Sequence, residues 1–215
     1  MSVQTFDSHT GIAAAMLQPN IDTDAIMPSR EMRRVSRLGL GDGLFAGWRY
    51  LDRGTDGERE NPEFVLNQAA YRNSSIILAG RNMGCGSSRE FAVWALVDYG
   101  IRAIVAPSFG AIFRKNCIRN GVLPVTLDES RIAIIVDQTR VDPQRHKVKI
   151  DLLEKYVQAP GGQRFPFEMD AAERQMMIEG MDLIDLTMKS IDEIDEYEKE
   201  HRLKRSWMNL SCNRV

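Results

Sequence analysis

The apolar and polar positions of the chain fall into two rhythms. Residues 75–80 (Ser-Ile-Ile-Leu-Ala-Gly), 102–107 (Arg-Ala-Ile-Val-Ala-Pro) and 122–127 are short apolar runs bounded by turn residues. Between them, residues 88–99 and 109–120 carry apolar side chains at helical spacing. Short apolar strands alternating with helices of that length predict βαβ units and a partly parallel sheet, hence an α/β fold. Gly11–Leu17 reads as a further strand, Pro19-Asn20 as a turn, and Met32–Leu38 as a short basic helical turn.

Beyond residue 131 the rhythm changes. Ile132–Val136 and the alternating Lys147–Asp151 read as strands, Pro160-Gly161-Gly162 as a turn, and Arg164–Phe167 as a strand. This predicts an antiparallel hairpin, with Pro166 confining its strand to a sheet edge because proline cannot donate to a ladder. Residues 169–205 are helical and charged, with Ile191, Ile194, Tyr197 and His201 at spacings of three and four. That spacing predicts one packed face and a solvated remainder. Residues 39–61 are rich in glycine and charge, which predicts loops with little regular structure. A loop that long in a compact domain is functional or mobile. The expected organisation is one domain over 1–200, with a mobile loop at about 39–61, followed by a C-terminal tail over 201–215.

Composition narrows the function. A chain of 215 residues can bury one substantial core. Lys plus Arg number 28 against 30 Asp plus Glu, a balance with no broad electrostatic footprint for nucleic acid or an anionic membrane. A small anionic substrate remains compatible. No apolar run reaches about 18 residues, and the first ten residues lack a signal-peptide pattern, so the expected location is cytoplasmic. Cys85, Cys117 and Cys212 are odd in number and far apart, suggesting neither a disulfide framework nor a zinc site, and they do not assemble a cluster on this chain alone. His9, His146 and His201 all lie far in sequence from the stretch where chemistry concentrates.

That stretch is Gly84-Cys85-Gly86-Ser87-Ser88-Arg89-Glu90, between a predicted strand and a predicted helix. Ser87 and Glu90 have the spacing of a capping box, in which hydroxyl and carboxylate satisfy the orphan amides of a helix start. A cap needs only those two residues. The glycines allow close approach of a ligand to the backbone, and Arg89 adds a planar fork suited to carboxylate or phosphate. The helix start supplies free amides and about half a positive charge, so the turn suits an anion. It is neither a nucleophile elbow, which needs Gly-x-Ser-x-Gly, nor a P-loop, which needs Gly-Lys-Ser/Thr. Asp22 and Asp24 lie in another polar turn, where their carboxylates either bond to nearby amides or face a ligand.

Several motifs occur in one order: Asn20-Ile21-Asp22-Thr23-Asp24-Ala25-Ile26-Met27-Pro28, the Gly84–Glu90 stretch, Asp98-Tyr99-Gly100, Ala106-Pro107-Ser108-Phe109 and Gly121-Val122-Leu123-Pro124-Val125. Trp48-Arg49-Tyr50-Leu51, Asn61-Pro62 with Phe64–Asn67, Asp170, Gly180-Met181-Asp182 and Thr187 extend the set. Together they closely resemble the small subunits of bacterial 3-isopropylmalate dehydratases, of the aconitase swivelling-domain superfamily. The resemblance implies a β/β/α swivelling domain with a mixed sheet and a C-terminal helical arm. It also implies conversion of 2-isopropylmalate to 3-isopropylmalate through isopropylmaleate, in leucine biosynthesis. The 4Fe-4S cluster is then carried by a separate large subunit, this chain holds no cofactor, and the enzyme is active only with that partner.

Residue by residue, the resemblance makes Ser87 the base, as an alkoxide, that removes the carbon-bound proton, and Asp24 an active-site carboxylate. An unaided serine hydroxyl is a very weak acid, so this role needs helix amides and cations that favour the anion. Gly86, Ser88 and Arg89 supply that field, Ser88 and Arg89 also hold substrate carboxylates, and Thr23 belongs with the substrate-binding residues. One stretch departs from archaeal-type relatives, which carry Tyr-Leu-Arg after a Pro-Gly-Arg turn. Here Pro28-Ser29-Arg30 leads into Glu31-Met32-Arg33-Arg34. Met32 would offer apolar contact to a branched alkyl group, and Arg33 and Arg34 are further substrate-binding candidates, Arg34 suiting a third carboxylate. The alternatives are a related hydro-lyase acting on dimethylmalate, citraconate or homoaconitate, and a noncatalytic anion-binding module.

Overall fold

The computed structural model describes residues 4–32, 36, 38–53, 58–86, 88–205 and 207. A seven-stranded mixed sheet organises them. Strand β1 (Ser8–Met16) runs parallel to β4 (Ser74–Ala79), β4 to β5 (Ala103–Ala106), and β5 to β6 (Leu123–Thr126). On its other side β1 pairs antiparallel with β7 (Val148–Asp151), which continues through β8 (Tyr156–Gln158) to β9 (Arg164–Pro166). The order is β6-β5-β4-β1-β7-β8-β9. Both prolines found within strands, Pro124 in β6 and Pro166 in β9, lie on edges, where a missing donor costs no ladder bond.

Strand β1 changes partner along its length. Ser8–Gly11 pair with β7, whereas Ile12–Met16 pair with β4. Gly11 sits at the change, where a Cβ would collide with the Ser75 hydroxyl. The absence of a side chain lets the two half-sheets meet there.

Both faces of the parallel half are covered, as its unbroken apolar runs require. Ile77 and Ala79 of β4 face one core with helix α3 (Phe91–Tyr99) and with Phe113 and Cys117 of helix α4 (Ala111–Arg119). Ile76 and Leu78 face the other core with helix α5 (Glu129–Thr139) and with Met177 of helix α6 (Ala171–Glu179). Helix α6 is fastened to α4 by a two-pronged ion pair, Arg114 Nη1 and Nη2 to the Glu173 carboxylate oxygens at 2.7 and 2.8 Å.

Four expectations need correction. Ile132–Val136 is not a strand but the middle of α5, with Ile132 and Ile135 buried and Ile134 exposed. A five-residue apolar run is too short to separate strand from helix by period alone. The helix expected over 88–99 begins only at Phe91, with Glu90 at its N-cap and making no side-chain capping bond. The segment 39–61 is not structureless. It contains a 3-10 turn (Gly41–Gly43), helix α2 (Ala46–Arg49) and a ribbon of β2 (Tyr50–Asp52) with β3 (Arg59–Glu60), and it buries Leu40, Leu44 and Phe45. The stacked rings of Phe45 and Trp48, 5.5 Å apart, explain why a glycine-rich sequence still packs there.

The fourth correction concerns the C-terminal arm, helices α7 (Leu183–Met188) and α8 (Ile191–Lys204). Helix α8 buries no residue in this chain, so the face expected to be packed is not covered by it. No helix among the described residues is long and apolar enough to cross a membrane. Of the helical turn expected over Met32–Leu38, residues 33–35 and 37 lie outside the described residues, and a 3-10 turn occupies Ser29–Glu31 just before it.

Candidate functional site

Two loops leave neighbouring parallel strands at their carboxyl ends and run on together. Residues 17–22 follow β1 and lead to the short helix α1 (Thr23–Ile26), and residues 80–90 follow β4 and lead to α3. Carboxyl ends of parallel strands are where open α/β sheets bind ligands. The Gly84 amide donates to Ile21 O at 2.7 Å and the Thr23 amide to Cys85 O at 2.8 Å. Asp22 and Cys85 thereby pair as an isolated parallel bridge. A third loop joins through Met83 N to Ser108 O at 3.0 Å and Gly110 N to Met83 O at 2.9 Å.

The glycines make this convergence possible. Gly84 has φ +74 and a Cβ there would collide with the Phe113 ring, while Gly86 has φ +101 and would bring a Cβ to 3.2 Å from Thr23 Oγ1. The loop is therefore threaded between the Asp22–Thr23 turn and the start of α4. L-residues with side chains resist both the left-handed backbone and the spacing.

Each expected site residue can now be placed. Asp22 caps α1: its Oδ1 accepts from Ala25 N at 2.6 Å, so its turn reading holds. Asp24, in the first turn of α1, is exposed and its carboxylate pairs with none of the described residues. Thr23 is buried between the two loops, and Gly86, Ser88 and Arg89 are exposed beside them. The Ser88 carbonyl is held by Asn116 Nδ2 of α4 at 3.3 Å. Met32 packs half-buried against the core around Leu44 and Phe45, and the Glu31 beside it is taken by a bidentate pair with Arg53 at 2.9 and 3.0 Å. Ser87, Arg33 and Arg34 lie outside the described residues.

Asp24, Gly86, Ser88 and Arg89 are thus exposed residues of the two joined loops. The cavities of about 290 and 800 Å³ are lined by other residues. Sequence reasoning gave Asn20 and Ser108 only a turn or motif position and gave Asn82 no place, yet the three hold the loops together: the Asn82 amide donates to Ser108 Oγ at 2.8 Å, and Asn82 Nδ2 to Asn20 Oδ1 at 2.8 Å. The available signal was an asparagine just after a strand, a residue type that tolerates left-handed turns.

The described residues do not fit an iron–sulfur cluster. Among them no group of three or more His, Cys, Asp or Glu is gathered as a metal site. Cys117 is wholly buried, which pushes its thiol far above the usual range and disfavours a ligating thiolate.

Comparison with known proteins identifies the family. A family model described as the aconitase C-terminal domain matches residues 3–130. The 3-isopropylmalate dehydratase small subunit of Cupriavidus necator is 53% identical, over 97% of this chain and 99% of its own. That of Methylibium petroleiphilum is 43% identical, over 96% of this chain and 97% of its own. The crystal structure of 3-isopropylmalate dehydratase from Methanocaldococcus jannaschii is similar with a TM-score of 0.61 and 26% identity, covering 88% of this chain and 99% of that one. With its two loops joined at the carboxyl edge of the sheet and this likeness over nearly its full length, the chain belongs to the family of 3-isopropylmalate dehydratase small subunits built on the aconitase C-terminal domain.

Proposed function

We propose that the chain supplies the base and the carboxylate clamps of a hydro-lyase that isomerises 2-isopropylmalate to 3-isopropylmalate through isopropylmaleate, in leucine biosynthesis. A small subunit implies a large-subunit partner, and in this reading that partner carries the 4Fe-4S cluster. Dehydration removes a carbon-bound proton and a hydroxyl as water. Rehydration returns them with their positions exchanged. This chain's share is the proton: Ser87 takes it as an alkoxide and returns it. Ser88, Arg89 and the first amides of α3 hold the substrate carboxylates and favour the alkoxide, because donors aimed at an anion lower the cost of forming it. Asp24 faces the same edge and adds the second titratable group.

The observation that carries this reading is the bond from Thr23 N to Cys85 O, which seats the Asp24 turn against the Gly84–Arg89 turn on an exposed edge. An edge of this kind is half of a site. The experiment is anaerobic reconstitution with the large subunit, assayed against a panel of 2-hydroxy acids. Turnover of 2-isopropylmalate by the complex, and none by the isolated chain, is expected. Turnover confined to dimethylmalate, citraconate or homoaconitate substrates would replace the proposed substrate with one of those.

A further inference from the structure

Asn20 and Asn82 occupy matching positions in the two joined loops. Asn20 follows β1 after three residues and Asn82 follows β4 after two, and each turns the chain through a left-handed backbone with φ of 58. Left-handed backbone is sparsely populated by residues other than glycine, and asparagine is among the few side chains that tolerate it. The Asn20 amide donates to Arg81 O at 2.9 Å, and the two side chains close the link through Asn82 Nδ2 to Asn20 Oδ1 at 2.8 Å. Immediately beyond it come the bonds from Gly84 N to Ile21 O and Thr23 N to Cys85 O. The asparagine pair is thus the point from which the two loops run in register. Asp24 lies four residues past one asparagine, and Arg89 seven past the other.

We propose that Asn20 and Asn82 are a positioning pair for the dehydratase reaction, a clamp that fixes the Asp24 turn relative to the Gly84–Gly86 segment that leads to Arg89. This rests on the function proposed above. The pair touches no reacting atom. It acts through the backbone of both loops, and asparagine serves because it combines tolerance of the left-handed turn with an amide able to reach across. Misplacing reacting groups by about 1 Å can cost on the order of 100-fold in rate, so a peripheral link has catalytic leverage.

The chemistry of the pair supplies its own controls. Asn20→Gly keeps the left-handed backbone without strain and deletes only the cross-link. Asn20→Asp keeps both the backbone and an acceptor for Asn82 Nδ2. In the complex saturated with large subunit, Asn20→Gly and Asn82→Gly should lower kcat about 10-fold to 100-fold. KM should move less than about threefold, because Arg89 and the helix amides remain. Asn20→Asp should return kcat to within about threefold of wild type. In the isolated chain, hydrogen exchange at the Gly84 and Thr23 amides should quicken in the glycine variants and not in Asn20→Asp. Glycine variants that reach wild-type kcat at saturating large subunit, or an Asn20→Asp variant as impaired as Asn20→Gly, would overturn the pair. So would unchanged exchange at both amides. An inactive wild-type complex condemns the proposed reaction instead, and the exchange measurement then still decides whether the clamp exists.

Discussion

The carboxylate of Asp98, near the end of α3, accepts a hydrogen bond at 2.7 Å from the buried amide of Gly41. A Cβ on Gly41 would stand 2.9 Å from the Tyr99 amide, so the two segments touch backbone to backbone. The Tyr99 hydroxyl donates to Arg72 O at 3.2 Å, and the Arg49 guanidinium lies 5.2 Å from the Tyr99 ring centre. The Asp98-Tyr99 motif therefore anchors the middle segment to α3. Asp98→Ala leaves the Gly41 amide without its acceptor and should cost about 1–2 kcal/mol, the lower part of the range for bonds to charged groups because Asp98 is exposed. Asp98→Asn, which keeps an acceptor, should cost less. Urea unfolding with an unchanged m-value checks both; equal losses would show that charge rather than geometry carries the contact.

The same segment should divide under hydrogen exchange. Phe45 N bonds to Ile26 O at 2.7 Å and Arg49 N to Phe45 O at 2.7 Å, both beneath buried side chains, so these amides should exchange slowly even in the isolated chain. The β2–β3 ribbon is two-stranded, a form marginal by itself, and should exchange fast until the large subunit is added. Uniform protection across 39–61 in the isolated chain would reject that division.

Glycine substitutions separate backbone strain from crowding. Gly162 has φ +87 and open space where a Cβ would go, whereas Gly84 has φ +74 with the Phe113 ring in the way. Gly162→Ala should lose about 1–2 kcal/mol, the cost of a left-handed L-residue. Gly84→Ala adds overpacking of about 1–3 kcal/mol to the same strain. Because Gly84 also holds Ile21, its loss should depress activity of the reconstituted enzyme in the fraction that remains folded. Thermal unfolding of the two variants side by side measures the difference.

The parallel half of the fold was legible because its strands are buried on both faces, and continuous apolar runs between helices have few other solutions. The antiparallel half was legible through Pro166 and the Pro160-Gly161-Gly162 turn. Ile132–Val136 was misread because five apolar residues fit either period, and only the tertiary placement of Ile132 and Ile135 decides. The middle segment was misread because its burial comes from aromatic stacking within the segment and from Asp98, which bonds Gly41 across 57 positions, a contact invisible to a local pattern. At the site, the glycine and serine types suggest an anion-binding turn, and the alternative capping-box reading of Ser87 and Glu90 does not match α3, which starts at Phe91 with Glu90 at its N-cap. What the sequence could not show was the pairing of Asn20 with Asn82, a side-chain contact spanning 62 positions.

His9 gives the chain a pH dependence of stability. Its Nε2 lies 2.7 Å from Ser75 Oγ, and burial, then the nearby Arg102 cation, hold its pKa below the usual 6.5. The unfolded chain therefore binds the proton more readily than the folded one. The stability His9 contributes is complete above about pH 6.5 and is lost as pH falls through the lower folded value. One such group limits the slope to about 1.4 kcal/mol per pH unit. His9→Gln, which cannot titrate but can still bond to Ser75, should flatten the fall in unfolding free energy between about pH 7.5 and 5.5. A variant with the wild-type slope would assign the pH dependence to other groups.

Ser87 and Arg89 should fail in different ways in the reconstituted enzyme. If Ser87 were only a helix cap, Ser87→Ala would cost roughly 0.5–2 kcal/mol of stability and leave turnover intact in the folded fraction. The start of α3 at Phe91, with Glu90 rather than Ser87 at the cap position, already weakens that reading. As the base, Ser87 contributes at least the 10²–10⁴-fold of general-base participation, so Ser87→Ala should lose that much kcat or more. Its KM should change little, because in the proposed function Ser88, Arg89 and the helix amides still hold the carboxylates. Arg89→Lys should show the opposite pattern, a strongly raised KM, since a compact ammonium cannot reproduce the two-pronged grip of a guanidinium on a carboxylate. Steady-state kinetics at saturating large subunit separates the two. A Ser87→Ala enzyme that assembles normally and keeps more than about a tenth of wild-type turnover would remove Ser87 from the chemistry, because losing a general base costs more than that.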